Sequence, residues 1–193
     1  LAGNQAGFDD VAIKDIVEII KACRGGVLCL FTSVKSMNNA YNRIKPVLRG
    51  MNIYKQGEIP KMQLIDKMRQ GDGVLLATRS FFTGVDIQGK ALRCVIVDKF
   101  PFPSPADPIQ IKRGLLHKDA FFRFSIPEMI ILLKQAVGRG VRSVDDKCVI
   151  CILDGRMSTA RYKTRIFNSF NYKKTGTRNI NDVKKFIDDY LDE

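Results

Sequence analysis

The chain has 193 residues, 45% of them apolar, long enough to bury a sizeable core as a single domain spanning 1–193. Its 32 lysines and arginines outnumber 20 aspartates and glutamates, and the resulting charge of +12 points to a polyanionic partner such as nucleic acid. No apolar run approaches the ~20 residues of a membrane helix, so no membrane association is expected.

No secretory signal opens the sequence. The first residue is Leu1 rather than Met, which suggests a piece of a longer protein. Five cysteines, an odd number, argue against a disulfide framework and for reduced thiols in a cytoplasmic protein, or a nuclear one in a eukaryote.

In chain order, Ile13, Ile16, Val17 and Ile20 recur at helical spacing, which predicts a helix over 9–24 that Gly25-Gly26 stops. Val27 to Phe31 reads as a buried strand. Ser33 is placed to cap a second helix running to about Gly50. A short strand follows at 52–55, then a helix opened by Pro60 and reaching Gln70. Gly71-Asp72-Gly73 turns into a strand over 74–78, and a further strand spans 92–97. A helix over 127–142 precedes the last strand, 148–153. Strands this apolar, alternating with helices, predict an α/β fold with a doubly wound, mainly parallel sheet covered on both faces. Residues 155–193 form a basic C-terminal extension, and no internal repeat is visible.

Cys148 and Cys151 have metal-ligand spacing, yet no second pair accompanies them, and three residues apart on a strand they face opposite sides. Core thiols are the expectation. His117, the one histidine, sits in a polar stretch and is expected in an exposed loop.

Ligands of such sheets bind beyond the carboxyl ends of the strands. There stand Thr32 and Ser33, then Arg79-Ser80 with the run to Gly89, then Asp98-Lys99-Phe100-Pro101-Phe102. Hydroxyls, glycine-exposed backbone and basic side chains suit a sugar–phosphate chain. Gly84-Val85-Asp86-Ile87-Gln88-Gly89-Lys90-Ala91 nearly fits a phosphate loop. It lacks the hydroxyl that would hold Mg²⁺ and leads into a strand rather than a helix. Arg139 and Arg142, behind Gln135 and Gly138, are spaced to share one face of a helix, and arginine forks suit a multiply charged phosphate. From Gly155 to Arg178, basic residues alternate with Tyr162, Phe167, Phe170 and Tyr172 and no acid intervenes. That pattern fits either a single-strand platform or a solvated helix whose aromatics pack inward.

Taken together, these segments resemble the second RecA-like motor domain of superfamily 2 helicases, in the DinG/XPD-like branch. Leu28–Ser33 is similar to motif IV, Gln56-Gly57 to a pair after a short strand, and Leu75–Gly89 to motif V. Lys99–Phe102 with Pro105–Pro108 resembles a Pro-Phe segment, Gln135–Arg142 motif VI, and Asp154-Gly155-Arg156 an Asp-x-Arg motif. Thr83, where the branch commonly has Glu, and Gly140, between the two arginines, depart from the pattern.

The resemblance implies an ATP-dependent DNA helicase of 5′-to-3′ polarity when joined to a first RecA-like domain, which would hold most of the ATP and Mg²⁺. Arg139 and Arg142 would be arginine fingers, and Gln135 would place water or relay nucleotide state. Gly84, Asp86 and Gly138 would face ATP. Thr32, Ser33, Arg79, Ser80 and Lys99 would line a single-stranded DNA track. An iron–sulphur cluster, where the branch has one, belongs to the first domain, so none is expected here. The isolated piece is expected to be inactive. Two alternatives compete: a basic nucleic-acid-binding module without ATPase coupling, and a small-molecule α/β enzyme, against which the lack of a phosphate loop or catalytic triad counts.

Overall fold

The computed structural model describes residues 7–82, 87, 91–138, 147–172, 176–177 and 179–191. Five strands form the sheet: β1 (Val27–Leu30), β2 (Asn52–Lys55), β3 (Gly73–Ala77), β4 (Cys94–Val97) and β5 (Val149–Ile152). Their spatial order is β2-β3-β1-β4-β5, and every pairing among the described residues is parallel. Parallel neighbours need crossovers, which the helices supply. These are α1 (Phe8–Cys23), α2 (Val34–Ile44), α3 (Lys61–Met68), α4 (Pro108–Leu116), α5 (Ile126–Val137), α6 (Arg156–Thr159), α7 (Lys163–Asn168) and α8 (Ile180–Leu191). The α/β expectation holds, with a wholly parallel sheet among the described residues.

The alternation of strand side chains divides the core into two layers. Val27, Cys29, Val74, Leu76, Cys94, Ile96, Val149 and Cys151 face one side, where α1, α2 and Ile187 of α8 pack. Leu28, Leu30, Leu75, Ala77, Val95 and Val97 face the other, against α3, α5 and Ile166 of α7. Each fully buried Leu, Ile or Val contributes roughly 1.5–3 kcal/mol, which is why such runs commit to the interior. The cysteines are free and buried, and Cys148 and Cys151 lie in opposite layers, as their spacing predicts.

The turn from α1 into β1 depends on two glycines. Gly25 has φ +108, and a Cβ there would sit 2.6 Å from the carbonyl oxygen of Asp72. Gly26, at φ +63, would press a Cβ within 2.9 Å of the Ala91 carbonyl. This close backbone approach seats β1 in the middle of the sheet.

Ser33 caps α2 as predicted, its Oγ accepting the Ser36 N–H at 3.1 Å. Two helices escape the sequence reading. In α4, capped by Asp107 and opened by Pro108, none of the described residues is buried, and its apolar Ile109, Ile111, Leu115 and Leu116 are exposed. In α8, Val183, Phe186, Ile187 and Tyr190 form a helical stripe against α1, and Lys184 pairs with Glu18 at 3.0 Å. Its periodicity was there to be read.

Candidate nucleic-acid interface at the carboxyl edge of the sheet

All five strands end at one edge, and the loops leaving them carry the exposed polar groups. The strand ladder continues past the strands through backbone bonds. Phe31 donates to Ala77, Gln56 to Leu76, Asp98 to Leu30 and Leu153 to Val97. Side-chain acceptors then take over. Each bridges two neighbouring strand ends.

Gln56, just beyond β2, accepts at Oε1 both the Thr78 N–H (2.8 Å) and the Thr78 hydroxyl (3.0 Å) beyond β3. Thr78 opens a 3₁₀ turn, Arg79–Phe81, whose Phe81 is buried while Arg79 and Ser80 are exposed. Lys61 of α3 donates its Nζ to the Ser80 carbonyl at 2.9 Å and lies over the Phe81 ring. Buried phenylalanine below and two anchors beside it leave Arg79 and Ser80 facing outward.

Asp98, beyond β4, is only 3% exposed. Its Oδ1 accepts the N–H of Lys99 (2.7 Å) and, across to β1, that of Thr32 (3.1 Å). Burial pushes its pKa up to about 7, against the pull of the Lys99 charge and the two N–H groups. Lys99 turns its Nζ to Asp9 of α1 at 3.0 Å and is 18% exposed. Lys99 therefore reaches this edge as half of an ion pair rather than as a solvated side chain. Asp9, Asp98, Ser36 and Asn39 also line a cavity of about 10 Å³. That is about one water-sized probe, too small for an organic ligand.

Asp154, beyond β5 and 1% exposed, accepts the Phe100 N–H at 2.9 Å beyond β4. It also takes the Arg156 N–H and both Nε and Nη2 of that guanidinium. Burial pushes this carboxyl up, but the Arg156 charge and the N–H donors outweigh it and hold it below the usual range. Arg156 in turn covers the rings of Phe100 and Phe102 at 5.5 and 5.2 Å. Phe102 stacks on Phe121 at 5.4 Å, and Tyr162 meets both edge-on. Between the two readings of the basic aromatic stretch, the structure divides it. Tyr162 and Phe170 pack against the core, while Tyr172 is exposed.

The sheet edge thus gathers Thr32, Ser33, Arg79 and Ser80 as exposed groups, with Lys99 beside them and half-buried. Gln135 is exposed near the end of α5, and Gly138 caps that helix, its N–H meeting the Lys134 carbonyl at 2.8 Å. Gly84, Asp86, Arg139 and Arg142 lie outside the described residues. His117 is half-buried against Phe124 rather than freely exposed. Among the described residues no group of His, Cys, Asp and Glu could hold a metal ion, and no helix is long and apolar enough to cross a membrane.

Gln56, Asp98 and Asp154 stand within the segments that the sequence singles out, but their role as bridges between strand ends was not foreseen. The signal was a polar side chain one or two positions past an apolar strand, a pattern shared by many solvated loops.

A sheet that is parallel among the described residues, covered by helices and edged by phosphate-compatible groups, defines a doubly wound α/β domain whose ligands meet the ends of its strands. The family model for the helicase C-terminal domain matches residues 16–173, and the chain belongs to that family. Over 179 residues it is 36% identical to the ATP-dependent DNA helicase YoaA of Haemophilus influenzae, covering 89% of this chain and 27% of that protein. Over 155 residues it is 32% identical to the ATP-dependent helicase DinG of Mycobacterium tuberculosis, covering 78% and 23%. The solved structure of an XPD helicase shares the fold, with a TM-score of 0.63 at 21% identity over 86% of this chain and 32% of that one. The resemblance to the DinG/XPD-like branch holds. The chain spans about a quarter of the length of the curated relatives it matches.

Proposed function

We propose that this domain is the second motor half of an ATP-dependent DNA helicase of 5′-to-3′ polarity. A first RecA-like domain holds ATP and Mg²⁺, and this one closes on them. Arg139 and Arg142 act as arginine fingers on the γ-phosphate, a role worth roughly 10³–10⁵ in rate through neutralising transition-state charge. Gln135 places the attacking water or relays nucleotide state, with Gly84, Asp86 and Gly138 facing the nucleotide.

Single-stranded DNA crosses the carboxyl edge. The N-terminus of α2 offers a phosphate the Thr32 hydroxyl and a helix dipole, with Ser33 beside it, its hydroxyl donating to Ser36 Oγ at 3.0 Å in the structure. Arg79, Ser80 and Lys99 continue the track, and a charge of +12 adds long-range attraction. The observation that carries this reading is the gathering of these exposed groups on one edge of a sheet whose family is that of helicase C-terminal domains.

The test is Arg139→Ala in the full-length protein. DNA-stimulated ATP turnover should fall by about three orders of magnitude or more while the thermal melting curve stays unchanged. Turnover retained within tenfold rejects the reading. The high positive charge favours a second one, a passive nucleic-acid-binding module. In that case DNA affinity of the full-length protein is indifferent to ATP analogues and Arg139→Ala changes nothing but charge.

A further inference from the structure

The loops after β1 and β4 belong to segments 66 residues apart in sequence, and in the proposed track both present groups to one strand of nucleic acid. Backbone pairing ends with the Asp98 N–H on the Leu30 carbonyl at 3.1 Å. Beyond that point a single atom, Oδ1 of Asp98, joins the loops by accepting the N–H groups of Thr32 and Lys99 together. A carboxylate that is 3% exposed is costly to bury, and two converging N–H donors are the usual compensation. Lys99 is fixed at its other end as well, by Asp9 of α1. Its backbone and side chain are therefore both tethered, leaving little freedom to be lost on binding a phosphate.

We propose that Asp98 is a positioning residue for the nucleic-acid track: its carboxylate ties the ends of β1 and β4 so that Thr32 and Lys99 form one preorganised phosphate-binding surface. The inference rests on the track reading above. Asp98 touches no phosphate itself. It acts through the geometry of two neighbours, so its loss weakens DNA binding without slowing a cycle already saturated with DNA.

The experiment titrates DNA-stimulated ATP turnover of the full-length protein with oligothymidylate. Asp98→Ala should raise the KM for DNA about tenfold and leave kcat at saturating DNA within twofold. Asp98→Asn keeps an Oδ1 acceptor in place and should stay within twofold of the wild type in both. Asp98→Ser replaces the alanine variant under the same criteria if that one melts too low to assay. An unchanged KM, a fall in kcat alone, or an asparagine variant as impaired as alanine overturns the proposal. The doubly substituted Thr32→Ala, Lys99→Ala protein separates the two levels. If its KM rises while that of Asp98→Ala does not, this inference alone fails. If its KM is unchanged, the track reading fails and takes this inference with it.

Discussion

The amide oxygen of Gln56 accepts both the backbone N–H and the hydroxyl of Thr78, at 2.8 and 3.0 Å, joining the loop after β2 to the turn after β3. Thr78 is buried, so neither donor has ready recourse to water. Gln56→Ala strands both of them. Each unsatisfied donor costs roughly 1–3 kcal/mol where water cannot enter, and the half-buried position of Gln56 favours the lower end. Urea denaturation should report a loss of about 2 kcal/mol, with Gln56→Glu losing less because an acceptor remains. No measurable change would mean that Thr78 finds another partner.

Ser33 separates a capping role from a binding role. Its Oγ accepts the Ser36 N–H, and removing such a cap costs about 1 kcal/mol. Ser33→Ala should lose that much stability. Ser33→Asp preserves the cap and suits the positive end of the α2 dipole, so its melting temperature should match the wild type or exceed it. The added negative charge would nevertheless repel a phosphate. Fluorescence anisotropy with labelled single-stranded DNA should show weakened binding for Ser33→Asp, by roughly one salt-sensitive contact. Intact binding would remove Ser33 from the track.

Asp98 lends the stability curve a particular slope. Its folded pKa of about 7 lies above the ordinary aspartate value of 3.8, so between those values the folded state holds the proton more tightly than the unfolded chain does. Its contribution is full below about pH 4 and is lost as the pH rises through about 7. Lys99 on its own loop and Asp9 on α1 are the charged groups acting on it, in opposite directions. Asp98→Asn cannot ionise. The stability difference, Asp98→Asn minus wild type, should grow from pH 4 to pH 8 and then level off. A flat difference across that range, measured by thermal melting, would show that Asp98 titrates like an exposed carboxylate.

Much of the architecture could be read before any coordinates. The strands announced themselves because burial on both faces demands uninterrupted apolar runs, as in Val27–Leu30 and Gly73–Ala77. Ser33 as a cap and Gly25-Gly26 as a break followed from local backbone chemistry. Motif order was enough to suggest the family. Helix α8 was legible in its stripe of Val183, Phe186, Ile187 and Tyr190 and went unread, whereas the other hidden features were non-local or local without a clear pattern. The apolar residues of α4, Ile109, Ile111, Leu115 and Leu116, are exposed, so the helix does not follow the rule that an apolar face turns to the core.

Local propensity and hydrophobic pattern, both written within a few residues, thus sufficed for the five strands, the helices between them other than α4, the fold class and the types of group at the sheet edge. They could not supply the strand order β2-β3-β1-β4-β5, which sets β4 beside β1 and so brings Asp98 to Thr32. Nor could they foresee that Lys99 would be held by Asp9, 90 residues earlier in the chain. Hydrogen bonds and ion pairs act over about 3 Å, whatever the separation in sequence. Which polar groups meet is therefore settled by packing, after the apolar residues have chosen their layers.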